Sequence, residues 1–231
     1  METKSEGKGI LYIVATPIGN LEDMTFRAVR ILKEVAFVLA EDTRQTSKLL
    51  NHYNISAQLV SYRDQNHDRM IGKVMEKLDL GLNLALVSDS GTPVISDPGF
   101  KLVRELVSRG YKVSPIPGPS AVVSALSASG VATDKFIFLG FLPKSDAHRK
   151  DLLKEYGSLN STLVMYESPQ RIGKLLQEII DTLPSRRVTL ANDITKMHEA
   201  FDTDYPEKLL ELVNDGKIKQ KGEFVVLVDK E

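Results

Sequence analysis

The chain contains no cysteine. This excludes disulfides, thiolate metal sites and a cysteine nucleophile. Its four histidines, His52, His67, His148 and His198, are scattered, and no pair has metal-ligand spacing such as His-Glu-x-x-His. No metal site is expected. Long apolar runs are also missing. The run Ile10 to Ala15 is far too short for a signal-peptide core or a membrane span, so a cytoplasmic protein is expected. The net charge of −1 gives no global basic field for nucleic acid, so any such contact must come from local patches or from a partner that is already folded. No internal repeat and no low-complexity segment occurs. What remains is the composition of a soluble globular protein, and 231 residues permit one large domain or two small ones.

The stretch around which the chain is organised runs from Leu84 to Gly99. Leu84 to Val87 is a short apolar run of the kind that makes a fully buried strand. Ser88, Asp89, Ser90 and Gly91 then supply turn residues, and Thr92-Pro93 fixes the exit. Ser96-Asp97-Pro98 reads as a helix start, with Asp97 as N-cap and Pro98 at the first helical position, opening a helix from about Phe100 to Arg109. A polar loop thus stands at the carboxyl end of a buried strand, where ligands bind in open α/β sheets. Gly91 lets a ligand approach the backbone. The loop is neither a P-loop, since no lysine follows Gly91, nor a dinucleotide fingerprint.

The first half alternates strand and helix: strands at 10–15, 37–40, 59–62, 84–87 and 112–116, with helices at 24–34, 43–52, 67–80 and 100–109. That order predicts an α/β fold with a largely parallel sheet covered on both faces. Three prolines between Pro115 and Pro119 break the pattern and predict a domain boundary, giving domains 1–116 and 117–231. A helix of small residues follows at 120–129. Beyond it come strands at 136–140, 162–167, 188–192, 199–203 and 223–228, with helices at 147–155, 171–183 and 206–214. This pattern predicts a second α/β domain with a mixed sheet.

Polar loops follow several strands: Thr16 to Asn20, Glu41 to Arg44, Ser88 to Pro93, Tyr166 to Arg171 and Asn192 to Lys196. Each has a plain alternative. Glu41-Asp42-Thr43 is also what a helix cap looks like. Arg171 and Glu167 have the spacing of a surface pair of little energetic weight. Lys144, Arg149 and Lys150 sit among Asp146 and Asp151, as on a solvated face. His148 reads as a surface residue.

As an ordered set the motifs say more. Thr16-Pro17-Ile18-Gly19-Asn20-Leu21, Glu41-Asp42-Thr43-Arg44, Ser88 to Pro93 with Ile95 to Gly99, Pro117 to Ala121, Gly140-Phe141-Leu142-Pro143, Tyr166 to Pro169 with Arg171-Ile172, Thr195-Lys196 and Lys221 to Phe224 occur in this order. From about Ile10 to Val228 the chain resembles the tetrapyrrole methylase fold family of S-adenosylmethionine-dependent enzymes, on the side that methylates small-subunit ribosomal RNA. The resemblance implies two α/β domains with a cofactor cleft between them and a homodimer. It also implies 2′-O-methylation of a cytidine in the decoding region of 16S rRNA, on the assembled small ribosomal subunit. Carried over motif by motif, it implies cofactor contacts from Pro17, Ile18, Gly19, Ser88, Asp89, Gly91, Thr92, Val94, Ile95, Ser120, Ala121, Tyr166 and Asn192. Two departures stand out: the family usually has Arg-Glu-Leu-Thr-Lys where this chain has Asn192-Asp193-Ile194-Thr195-Lys196, and commonly has histidine at Gln170.

Loss of a 2′-hydroxyl proton needs a base or a nearby stabilising charge. Glu41, Asp42, Glu167, Asp193 and Lys196 are the unranked candidates. Arg44, Lys144, Arg149, Lys150 and Arg171 are the expected RNA contacts, and Lys174, Arg186 and Arg187 are further local cations. Two rivals remain: a methylase of the same fold acting on a tetrapyrrole or a protein side chain, and a ribosome-assembly factor without activity.

Overall fold

The computed structural model describes residues 7–230. It turns the alternating pattern of the first half into a five-stranded sheet of order β3-β2-β4-β1-β5. The strands are β1 (Ile10–Val14), β2 (Phe37–Ala40), β3 (Gln58–Ser61), β4 (Leu84–Val87) and β5 (Lys112–Ile116), and every pairing is parallel. The connecting helices are α1 (Phe26–Glu34), α2 (Thr43–His52), α3 (His67–Asp79) and α4 (Phe100–Ser108). Parallel strands need both faces covered, and the period-two alternation of side chains sorts them accordingly. Ala85 and Val87 pack with Ala28, Ile31 and Leu32 of α1 and Leu50 of α2. Leu84 and Leu86 pack with Val74 and Leu78 of α3 and Leu102 and Leu106 of α4. The chain leaves β1 toward one edge over one face and leaves β4 toward the other edge over the opposite face. The carboxyl ends of these neighbours therefore form the switch point where open α/β sheets bind ligands.

The chain divides into two compact units, Met1–Ser120 and Ala121–Glu231. The proline-rich segment stays with the first unit because the Thr92 hydroxyl donates to the Pro119 carbonyl at 3.0 Å. The second unit holds α5 (Ala121–Ser129), β6 (Phe136–Phe141), α6 (Asp146–Gly157), β7 (Thr162–Glu167), α7 (Ile172–Thr182), β8 (Val188–Asn192), β9 (Ala200–Asp204), α8 (Pro206–Asn214) and β10 (Phe224–Val228). Its sheet order is β6-β7-β10-β8-β9, with β6 parallel to β7 and the remaining pairs antiparallel. Leu163, Met165, Leu190, Val226 and Val228 face a core shared with α6, α7 and α8, while α5 crosses β10 and β8. Among the described residues no helix is long and apolar enough to cross a membrane.

Two sequence expectations need correction. Asp97 and Pro98 do not start the helix after β4; it starts at Phe100, with Gly99 as N-cap at φ 124°. A Cβ at position 99 would stand 2.7 Å from Leu86 Cδ2, so the chain turns against the sheet there and enters the helix only afterwards. The second correction concerns Arg149, expected to reach RNA phosphate. Its side chain is fully buried, with Nη1 3.0 Å from Glu167 Oε2 and Nε 2.6 Å from Glu178 Oε2. One guanidinium thus compensates two buried carboxylates and ties α6, β7 and α7 together. Arg186 is likewise interior, donating to the carbonyls of Gly157, Ser161, Val228 and Asp229.

Breaking a buried pair costs about 3–5 kcal/mol because it strands a charge, whereas an exposed pair is worth about 0–1 kcal/mol. Arg149→Met should therefore lower the unfolding free energy obtained from urea titration by an amount in the first range. Lys150→Met, which removes an exposed pair with Asp181, should leave it nearly unchanged.

Candidate active site

The loops after β1 and β4 are joined directly. Thr16 N donates to Gly91 O at 2.8 Å and Gly91 N to Thr16 O at 3.0 Å. Thr16 is buried and its hydroxyl points toward Ser88 O, while Ile18 packs beneath Gly91, 3.3 Å from where a Cβ would stand. Pro17, Ile18, Gly19, Ser88, Gly91 and Thr92 are thus brought to one place. Ser120 and Ala121 stand where the Pro117–Pro119 segment runs into α5.

Backbone strain marks the same loop. Among the described residues five non-glycine residues have φ in the left-handed region: Asn54, Val94, Ser96, Asp193 and Thr195. Val94 at 77° is a β-branched residue in a conformation such residues avoid. Four of the five fall in the loops after β4 and β8, both singled out by the sequence. Strain of about 1–3 kcal/mol per residue persists only where the surroundings enforce it, and it clusters at ligand sites.

The acidic residues near the β2 and β4 ends separate by environment. Asp42 caps α2, accepting from Arg44 N at 2.9 Å, and its carboxylate also holds the Arg44 guanidinium at 2.7 Å. Those bonds hold its pKa far below the usual range. Glu41, one residue earlier, is pushed upward by burial and by the charges of Asp89 and Asp97. Asp97 is also raised, mainly by burial, against a hydrogen bond from Ser88. Asp89 accepts from Asp42 N at 3.1 Å, tying the two strand ends together. Among the described residues no three such side chains converge as a metal site requires.

In the second unit the loop after β8 is built on ion pairs. Lys196 Nζ lies 3.2 Å from Asp193 Oδ1 and 2.8 Å from Glu223 Oε2. Burial alone would lower its pKa, but Glu223 and Asp193 outweigh burial and raise it, so this lysine remains a cation. Asn192 Oδ1 and Thr195 Oγ1 are buried with no hydrogen-bond partner among the described residues. Such orphans fit a ligand that donates hydrogen bonds, as the amino group of an S-adenosylmethionine-type cofactor does. Tyr166, at the end of β7, packs against Phe138 and Phe141. Glu167 is buried and committed to Arg149, Arg171 and Ser168 N, which removes it from the accessible bases.

The cations separate too. Arg44 is 85% exposed but bound to Asp42, and Arg171 donates to the Pro143 carbonyl at 3.0 Å. Lys150 and Lys174 pair with Asp181 and Asp146. Arg187 and Lys144 are exposed. Sequence reasoning missed Glu223 as the second partner of Lys196 and the Ser88–Asp97 contact, both set by tertiary proximity that spacing does not report. It named Phe141 only within the Gly140–Pro143 motif, with no role, and passed over Phe138; the signal was a glycine inside an aromatic strand.

The family model described as Tetrapyrrole (Corrin/Porphyrin) Methylases matches residues 10–204. Ribosomal RNA small subunit methyltransferase I of Halalkalibacterium halodurans is 46% identical over 224 residues, covering 97% of this chain and 77% of that protein. The protein of the same name from Thermotoga maritima is 44% identical over 221 residues, covering 95% and 98%. Among solved structures, a uroporphyrin-III C-methyltransferase from Thermus thermophilus complexed with S-adenyl homocysteine matches with a TM-score of 0.64 at 19% identity. It covers 96% of this chain and 97% of that one, a likeness of fold. With strained loops at the carboxyl ends of its strands and near-half identity over almost its whole length, the chain belongs to the tetrapyrrole methylase family, among the ribosomal RNA small subunit methyltransferases I.

Proposed function

We propose that this protein is a methyltransferase that uses S-adenosylmethionine to methylate the ribose 2′-oxygen of a cytidine in the decoding region of 16S rRNA, on the assembled small subunit. The observation that carries this reading is identity of 46% and 44% to small-subunit rRNA methyltransferases across nearly the entire chain. A net charge of −1 suits a large preformed partner better than a flexible strand. That substrate puts the protein in the cytoplasm. The homodimer implied by the family resemblance predicts a sedimenting species of twice 25.7 kDa at micromolar concentration.

The cofactor supplies, when bound, a methyl group on a sulfonium that an oxygen nucleophile displaces in line. In the first unit Pro17, Ile18, Gly19, Ser88, Gly91, Thr92, Val94 and Ile95 would hold it with loop backbone, and Asp89 offers a carboxylate to ribose hydroxyls. Tyr166 and Asn192 are the second unit's candidates, Asn192 by its orphaned oxygen. Holding reactants in line can correspond to effective molarities on the order of 10⁵–10⁸ M, so positioning is the main work of these loops.

Of the five candidate groups for chemistry, Glu41 is the one whose environment suits a base. Asp42 is held ionised by Arg44, Glu167 is buried in an ion pair, Asp193 is paired with Lys196, and Lys196 is held as a cation that can offset developing negative charge. Glu41 alone combines access with a raised pKa, which brings a carboxylate closer to working pH.

Gly91→Ala places a methyl group against Ile18 at φ 78°. It should weaken S-adenosylmethionine binding by roughly tenfold or more, equivalent to about 1.4 kcal/mol, in calorimetry of a folded variant. Unchanged affinity would remove this loop from the site.

With radiolabelled cofactor and small subunits, the label should appear in 2′-O-methylcytidine; label in a base, or a preference for deproteinised rRNA, would overturn the substrate. In the same assay Glu41→Gln should lower kcat by roughly 10²–10⁴-fold. Because the base must be ionised and its pKa is raised, wild-type kcat should fall on acidification at a pH above the ordinary carboxylate range. The sign for stability is opposite. A folded pKa above the unfolded value means that ionised Glu41 destabilises the fold at neutral pH. Glu41→Gln should therefore melt at or above the wild-type temperature at pH 7, with the difference vanishing in acid.

A further inference from the structure

Strand β6 is an edge strand and carries Phe136, Phe138 and Phe141. Its register against β7 runs Phe136 to Thr162, Ile137 to Leu163 and Phe138 to Val164, then shifts so that Phe141 faces Tyr166. Two residues, Leu139 and Gly140, therefore stand opposite Met165 alone. This is a β-bulge, rare in a parallel pair, and Gly140 makes it with φ 62°. In a regular strand Phe138 and Phe141, three apart, would point to opposite faces. The bulge returns Phe141 to the face of Phe138 and Tyr166. Phe138 meets Tyr166 edge-on with centroids 5.0 Å apart, and Phe141 meets it at a tilt of 56° with centroids 5.4 Å apart. Ile137 and Leu139 pack toward the core on the other face.

A role in the core does not explain this arrangement. Phe141 is 61% exposed and Phe136 45%, and exposed apolar edge strands are a hazard that chains normally blunt with charge or proline. The position is also rigid. Directly after Phe141, Leu142 is buried and Pro143 accepts a hydrogen bond from Arg171 at 3.0 Å. Lys144 follows, exposed and without an ion-pair partner among the described residues, so a cation stands beside the aromatic surface.

Sequence-specific RNA recognition uses aromatic rings on which an unstacked base lies, with cations on the adjoining phosphates. The geometry points to Phe141, backed by Tyr166 and Phe138, as the surface on which an unstacked base of the RNA substrate is held, with Lys144 at its phosphate. The assignment rests on the proposed reaction and adds to it how the nucleotide is presented.

The test uses the full chain and small ribosomal subunits, with Phe141→Leu, which keeps an apolar side chain but no π-face, and Phe141→Trp, which keeps the π-face. Phe141→Leu should lower kcat/KM for subunits roughly tenfold or more, and Phe141→Trp should restore it. Both variants should bind S-adenosylhomocysteine as the wild type does. A fluorescent cytosine analogue placed in the 16S rRNA of assembled small subunits should be quenched by wild type and Phe141→Trp and not by Phe141→Leu. Equal activity and quenching by Phe141→Leu would overturn the assignment while leaving the reaction intact. A change in sedimentation of Phe141→Leu would also overturn it, by showing a second copy of the chain on this face. Wild-type protein that leaves subunits unmethylated would overturn the reaction and the assignment together.

Discussion

Two main-chain hydrogen bonds, exchanged between Thr16 and Gly91, hold the loop after β1 against the loop after β4. The two strands run parallel, yet their chains leave for opposite faces of the sheet, so nothing in the sheet ladder itself would keep these loops together. Once that bridge is made, Ile18 is trapped beneath Gly91, the Thr92 hydroxyl reaches Pro119, and the segment to Gly99 must cover its distance in an irregular path. The left-handed residues Val94 and Ser96 are the cost of that path. A parallel sheet supplies the rigid frame, and the frame tolerates strain at one end because hydrophobic layers on both faces fix the strands.

Much of this was legible in the sequence for a physical reason. A buried parallel strand must be a short apolar run between polar turns, and Leu84 to Val87 and Phe37 to Ala40 obey that rule. Local chemistry was legible as well, as with Asp42 capping α2. What escaped depended on tertiary neighbours. The stretch around Arg149 has the charge pattern of a solvated helix, and only the folded chain shows two carboxylates converging on that guanidinium. Asp97-Pro98 satisfies every local rule for a helix start, but the close passage of Gly99 over Leu86 delays the helix. The bulge at Leu139-Gly140 reverses the face of one ring, and strand periodicity assumes regularity there.

Glu41 and Asp42 are adjacent carboxylates pushed in opposite directions. One is turned into its helix cap and an arginine; the other is half-buried among like charges. Environment separates two chemically similar groups into a fixed anion and a titratable one, the general way one fold obtains both.

The position of β10 has a bearing on how the protein is made. Among the described residues it is the last strand in chain order but the middle strand of its sheet, between β7 and β8. The first unit has all five of its strands once residue 116 has emerged from the ribosome, so it can assemble early during synthesis. The second cannot close its sheet until β10 arrives, and until then β7 and β8 each present an unpaired edge. Arg186 must wait as well, since two of the carbonyls it gathers, Val228 and Asp229, lie at and just beyond the end of β10. Vectorial synthesis therefore gives the two units different histories, with the aggregation-prone interval confined to the second.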